Sequence, residues 1–275
     1  MNLDLKKTLE EILKLKYFWI YAVIYALMTT ISTFFNTLEN LHFHSAISNV
    51  FSILTFISVA YIIVMINNLI HEKELNDDSE NFWQNLWKST KLGAKAFIGV
   101  FANIMIFFVF TLVLALLWLV PVAMLDTSNT FIKSPISIAV FILLILFSVF
   151  AMLFIVNLLL VSFAENYALK DMFRWIKVAK TFFKKGFAKK TFAVIGSYLL
   201  ICVLLSAILL GSLFLFNLGI AFFAKTLLQN HYLTVAILVS LSGLILPFVG
   251  GFAHFMVSTY IYNLLAKIYK ESSKE

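Results

Sequence analysis

Few side chains in this sequence could do chemistry, and most of them interrupt long apolar runs. Asn103, Asn157, Asn217 and His254, with scattered Ser and Thr, lie among Phe, Leu, Ile and Val. Amides and an imidazole in such places serve one of two ends. They hydrogen-bond between helices, at about 0.6 kcal/mol each on average in a membrane bundle. Alternatively, Asn157, Asn217 and His254 converge on a mid-depth polar pocket beside Pro247, Gly250 and Gly251. Proline removes a helix hydrogen bond and crowds the preceding turn, and a broken helix is where membrane carriers place solute sites.

The metal-ligating types fall elsewhere. His42 and His44 form a His-x-His pair, with Glu39, Asp126 and His231 in other polar segments. Such a pair can offer two ligands to zinc, but nothing in the spacing brings His231 to it. Histidines that simply face water are the plainer reading, so no metal and no cofactor are assigned. The single cysteine, Cys202, cannot close an intrachain disulfide and reads as a small buried hydrophobe. The acidic group Glu72, Glu74, Asp77, Asp78 and Glu80 reads as a solvated turn, with Asp77 and Glu80 as a capping box for the next helix. No Gly-rich phosphate loop, Gly-x-Ser-x-Gly or His-Glu-x-x-His is present. The expectation is a non-enzymatic protein.

One segment is rich in charge. From 164 to 190 the chain carries eight basic and two acidic residues, interleaved with Phe173, Trp175, Phe182, Phe183 and Phe187. Lys170, Arg174, Trp175, Lys177, Lys180, Lys184 and Lys185 are the candidate contacts to anionic lipid or to an acidic protein partner. The competing reading is topological, because a positive loop stays on the cytoplasmic side.

These residues need elements to hold them. The chain has 275 residues, of which 62% are hydrophobic and 13% charged, with a mean hydropathy of +0.96. Soluble domains carry about 25% charged residues, so this chain lacks the polar surface to coat a water-exposed globule. The apolar runs place six spans at about 17–38, 47–70, 96–120, 136–163, 191–217 and 233–266. Nineteen of the 21 Lys and Arg lie in the N-terminus, the second and fourth connections and the C-terminus. That alternation predicts both termini in the cytoplasm. Twelve of the 14 acidic residues share those four segments, so the net charge of +7 sits on one face and suits anionic headgroups rather than nucleic acid.

Amphipathic stripes predict interfacial helices at about 3–16, 80–95 and 168–189, each ahead of a hairpin of spans. The layout raises a threefold repeat about an axis along the membrane normal. The uncharged runs 191–224 and 229–266 each exceed 33 residues, about 50 Å of helix against a core of about 30 Å. They must tilt, break or project, with Gly211 and Gly219 as weak points in one and Pro247, Gly250 and Gly251 in the other. Twenty lysines against one arginine point to an AT-rich bacterial genome, and hence to a bacterial inner membrane.

The stretch VSFAENYALKDMFRWIKVAKTFFKK and the ending LPFVGGFAHFMVSTYIYNLLAKIYKE carry a resemblance through Glu165, Ala168, Trp175, Lys177, Pro247, Tyr260 and Tyr262. Here the chain resembles a broad group of uncharacterised six-span bacterial membrane proteins, similar to the membrane domain attached to some glycerophosphoryl diester phosphodiesterases. The resemblance covers about half the chain, mainly 160–270, and implies a six-helix integral membrane fold. It implies no reaction, since the phosphodiesterase catalytic domain is absent. The leading expectation is an accessory or protective membrane protein that docks lipid or a partner through its basic helix. The alternative is a permease or carrier for an apolar or amphiphilic solute.

Overall fold

The computed structural model describes residues 5–37, 44–73, 81–125, 135–227 and 232–274, with some helical stretches described by backbone alone. The chain forms α1 (Leu5–Leu13), α2 (Phe18–Thr37), α3 (His44–Ile70), α4 (Phe82–Leu125) and α5 (Pro135–Asn166). A 3-10 helix (Leu169–Phe173), α6 (Trp175–Phe182), α7 (Ala188–Leu227) and α8 (Tyr232–Lys274) complete it. No strand occurs among the described residues. Helices α2, α3, α4, α5, α7 and α8 each hold a stretch long and apolar enough to cross a membrane.

The surface agrees with that reading. Phe108, Phe147, Val203 and Leu210 are each more than 60% exposed along the flanks of α4, α5 and α7. Apolar side chains on that scale suit lipid, which accepts them at no hydrophobic cost. The core is α2, α3 and α8, which pack on one another, together with the buried 154–164 stretch of α5. Helix α7 lies along α8, and α4 and α5 lie against α3. All the basic side chains with described surroundings gather at one end of the bundle, called here the basic end.

Two glycines let helices approach backbone to backbone. A Cβ on Gly93 would lie 2.5 Å from the Phe56 carbonyl oxygen, so only glycine lets α4 meet the α3 backbone there. A Cβ on Gly251 would lie 3.1 Å from Ala26 Cα and 3.2 Å from Thr29 Cβ, which brings α8 onto α2.

Several expected elements differ. The segment 80–95 is not a separate interfacial helix: it is the first part of α4, which runs unbroken through Pro121 to Leu125. Its start is capped reciprocally by Asn81 and Gln84, at 3.2 Å in each direction. The proposed capping pair Asp77 and Glu80 lies outside the described residues. The segment 168–189 is two short helices rather than one. Tyr167, at φ 54°, ends α5, and Gly186, at φ +94°, turns the chain into α7. The first interfacial helix is shorter than expected, and its Ile12 is buried against the bundle.

Pro247, Gly250 and Gly251 do not break α8, which is continuous from Tyr232 to Lys274. Neighbouring helices support a proline inside a membrane span, and Gly250 and Gly251 act as contact points rather than hinges. Gly211 and Gly219 likewise leave α7 intact.

Candidate functional site

Helices α2 and α7 both lie on α8, and the space between them is a groove of about 350 Å³. Its floor is the Pro247–His254 stretch of α8. Tyr25, Thr29 and Thr33 line it from α2, and Cys202, Ser206 and Leu209 from α7. Leu209 fills the space above Gly250, where a Cβ would meet its methyl group at 2.5 Å. A second cavity of about 160 Å³ lies deeper and draws residues from all six long helices. Tyr25 and His254 line both.

His254 is the centre of a polar cluster. Its Nε2 is 3.5 Å from Ser258 Oγ, and its Nδ1 is 3.9 Å from Cys202 Sγ. Tyr198 Oη lies 3.2 Å from Ser258 Oγ, and the Tyr25 ring stacks on the imidazole at 5.8 Å. Cys202 is therefore partly buried at the wall of a cavity rather than fully buried. Asn157 joins at one remove: Tyr262 donates to its Oδ1, and Tyr262 and His254 line the deeper cavity together. Asn217 does not join. It sits in α7 about 22 Å beyond Cys202 at 1.5 Å per residue, and its side chain lies outside those described.

At the basic end, the seven expected contact residues divide. Trp175 faces inward: its Nε1 donates to Asn103 Oδ1 at 2.9 Å and its ring stacks on Phe107. Lys177 pairs with Glu165 at 2.9 Å, and Lys184 donates to the Ser272 carbonyl. Arg174 Nη1 lies 2.9 Å from Asp171 Oδ1, a charge contact without hydrogen-bond alignment. Lys170, Lys180 and Lys185 are exposed and have no ion-pair partner among the described residues. The apolar face of this segment is largely inside the protein, since Met172, Val178 and Phe182 are buried, while Ile176 is 74% exposed.

Glu165 organises this end. Its Oε2 accepts from Lys177 and from Tyr269, each at 2.9 Å, and its carbonyl accepts from Asn67 and His71. Burial alone would lower the Lys177 ammonium, but the Glu165 carboxylate and Tyr269 outweigh it and hold it above the usual lysine range. Glu72, at φ 57°, closes α3, and the Lys73 amide returns to the Asn68 carbonyl at 2.9 Å. Hydrogen bonds from Lys274 and Lys270 hold Glu72 below the usual carboxylate range.

The outer histidine group lies outside the described residues: Glu39, His42, Asp126 and His231 are not described, and neither is the side chain of His44. No metal-binding cluster occurs among those described. Sequence reading missed Tyr25, Tyr198 and Asn67. Tyrosines are common at membrane interfaces, so only the packing marks Tyr25 and Tyr198 as interior; Asn67, within the second span, was open to notice.

These features define a multi-span α-helical membrane protein with a polar-centred cavity. Compared with protein-family models, curated proteins and solved structures, the chain matches none.

Proposed function

We propose that this chain binds an apolar or amphiphilic molecule within the membrane, as a carrier or binding protein without covalent chemistry. The observation that carries this reading is the groove between α2 and α7, which ends on the His254 cluster, where Tyr25 and His254 also line the deeper cavity. At about 350 Å³ it reaches the lower end of the 300–1,000 Å³ usual for ligand sites. Ligand sites combine an apolar lining with a few placed polar groups, and this one does. The charge alternation supports both termini in the cytoplasm, and the twenty lysines against one arginine support a bacterial inner membrane. The family resemblance over about 160–270 fits the same six-span reading and adds no activity.

The test is native mass spectrometry of protein extracted gently from its own membrane. Wild type should retain a small-molecule or lipid adduct. Ser206→Phe, which fills the groove from an exposed wall, should lose it with the melting temperature unchanged. Equal adducts in both would remove the reading.

A second reading rests on Lys170, Lys180 and Lys185, whose exposed ammonium groups suit anionic lipid headgroups or an acidic partner. Exposed Ile176 and Phe173 on the same segment fit a headgroup-level position. The two readings are compatible: a basic end attracts anionic leaflets while the groove holds its own occupant.

A further inference from the structure

The chemistry of the groove narrows what it would hold. Neither cavity is lined by Asp, Glu, Lys or Arg. On α8 the nearest charge, Lys267, lies about 20 Å along the helix from His254, and it is already engaged with Thr8 and Glu11. A charged group brought to that depth would lose its hydration and meet no counter-charge. The faces of Tyr25 and Tyr198 attract cations, but far too weakly to offset that loss.

The polar groups are not all satisfied by one another. Tyr198, Ser258, His254 and Cys202 form a chain of contacts. Tyr25 Oη has no hydrogen-bond partner among the described residues, although its side chain lines both cavities. A hydroxyl left without a protein partner at the wall of a largely apolar cavity retains a drive to donate. The gap between α2 and α7 is flanked by apolar side chains such as Leu205 and Leu246, so a hydrocarbon tail can leave through it.

We infer that the groove takes an uncharged amphiphile, seated with a carbonyl, ester or hydroxyl oxygen of its head accepting from Tyr25 and its tail directed between α2 and α7. The inference rests on the reading of the groove as a binding site and specifies its ligand class.

Cys202 gives a site-specific readout, because it is the only cysteine in the chain and lines the groove. The experiment follows N-ethylmaleimide alkylation of wild type in phosphatidylcholine nanodiscs by intact mass. Three probes share one oleoyl chain: 1-oleoylglycerol, its 3-phosphate and oleoylcholine. We expect 1-oleoylglycerol to slow alkylation at least about 5-fold more than either charged probe. Tyr25→Phe should raise its half-protecting concentration about 3- to 10-fold, the loss of one hydrogen bond, with the melting temperature unchanged.

Protection by a charged probe equal to that by 1-oleoylglycerol would overturn the uncharged head and leave the binding site standing. An unchanged half-protecting concentration in Tyr25→Phe would overturn the role of that hydroxyl. No protection by any probe would remove the site itself. Should the thiol react too slowly to follow, native mass spectrometry scores the same three probes as retained adducts, with Ser206→Phe as the filled-groove control.

Discussion

Trp175 donates its indole N–H to the side-chain oxygen of Asn103 at 2.9 Å, which pins the short helix α6 to the middle of α4. The amide is used on both sides. Asn103 Nδ2 donates to the Gly99 carbonyl at 2.8 Å and to the Met172 carbonyl at 3.0 Å. A Cβ on Gly99 would lie 2.8 Å from Met172 Cγ, so the same turn of α4 also receives the methionine. A fully buried amide thus fastens the basic connection to the bundle.

Asn103→Leu strands the indole N–H and the Met172 carbonyl at once. We expect a loss of about 1–3 kcal/mol. Trp175→Phe, which removes the donor and keeps an aromatic ring against Phe107, should cost less. Thermal unfolding in one detergent checks both, and equal stability of Asn103→Leu and wild type would refute the latch.

Glycine substitutions should differ in sign. Gly93→Ala drives a methyl group to 2.5 Å from the Phe56 carbonyl oxygen and must part α3 from α4, at about 1–3 kcal/mol. Gly196 has nothing within 4 Å of its added Cβ. There, alanine should stabilise α7 by about 0.5–1 kcal/mol through helix propensity. Melting temperatures moving in opposite directions would bear out this contrast.

Two sets of basic residues should separate lipid contact from stability. Converting Lys170, Lys180 and Lys185 to Gln should lower co-purified anionic lipid, each lysine near the surface being worth about 1 kcal/mol, with little change in melting temperature. Converting Arg174, Lys177 and Lys184 should mainly lower the melting temperature, because their partners Asp171, Glu165 and Ser272 belong to the fold. Lipid analysis and unfolding on the same samples decide between them.

The pH dependence follows from Glu72 and Lys177. Glu72 is held low, so its contribution is present above the usual carboxylate range and is lost as pH falls through its depressed value. Lys177 is held high, so its contribution is present below the usual lysine range and is lost as pH rises through its elevated value. The stability gap between wild type and Glu72→Gln should be flat at neutral pH and close on acidification. A gap that instead closed with rising pH would show the sign to be wrong.

The six long helices were legible because apolar length is a property of single segments. The pocket around His254 was legible in part. His254 and Asn157 stand out as polar residues in apolar runs; His254 lines the deeper cavity, and Asn157 reaches it only through its hydrogen bond from Tyr262. Asn217 stands out equally, yet helical rise carries it away from the cluster. Pro247 with Gly250 and Gly251 reads as a hinge from residue types alone, but the glycines answer to Leu209, Ala26 and Thr29 on other helices. Lys184 and Trp175 read as outward contacts because amphipathic periodicity gives a stripe and not its partner. The partners Ser272 and Asn103 are distant in sequence.

Helix α8 packs against α2, α3 and α7, and its lysines reach back to the beginning of the chain. Lys267 holds Thr8 and Glu11, while Lys270 reaches the Leu69 carbonyl and Glu72. A ribosome delivers α8 after the other five spans. Until it inserts, α1 lacks its ion pair and the α2 surface around Ala26 lies open. The α2–α3 and α3–α4 pairs need no later helix, but the core closes only once α8 is in place, so a nascent chain stalled before α8 would offer membrane quality control an unfinished core.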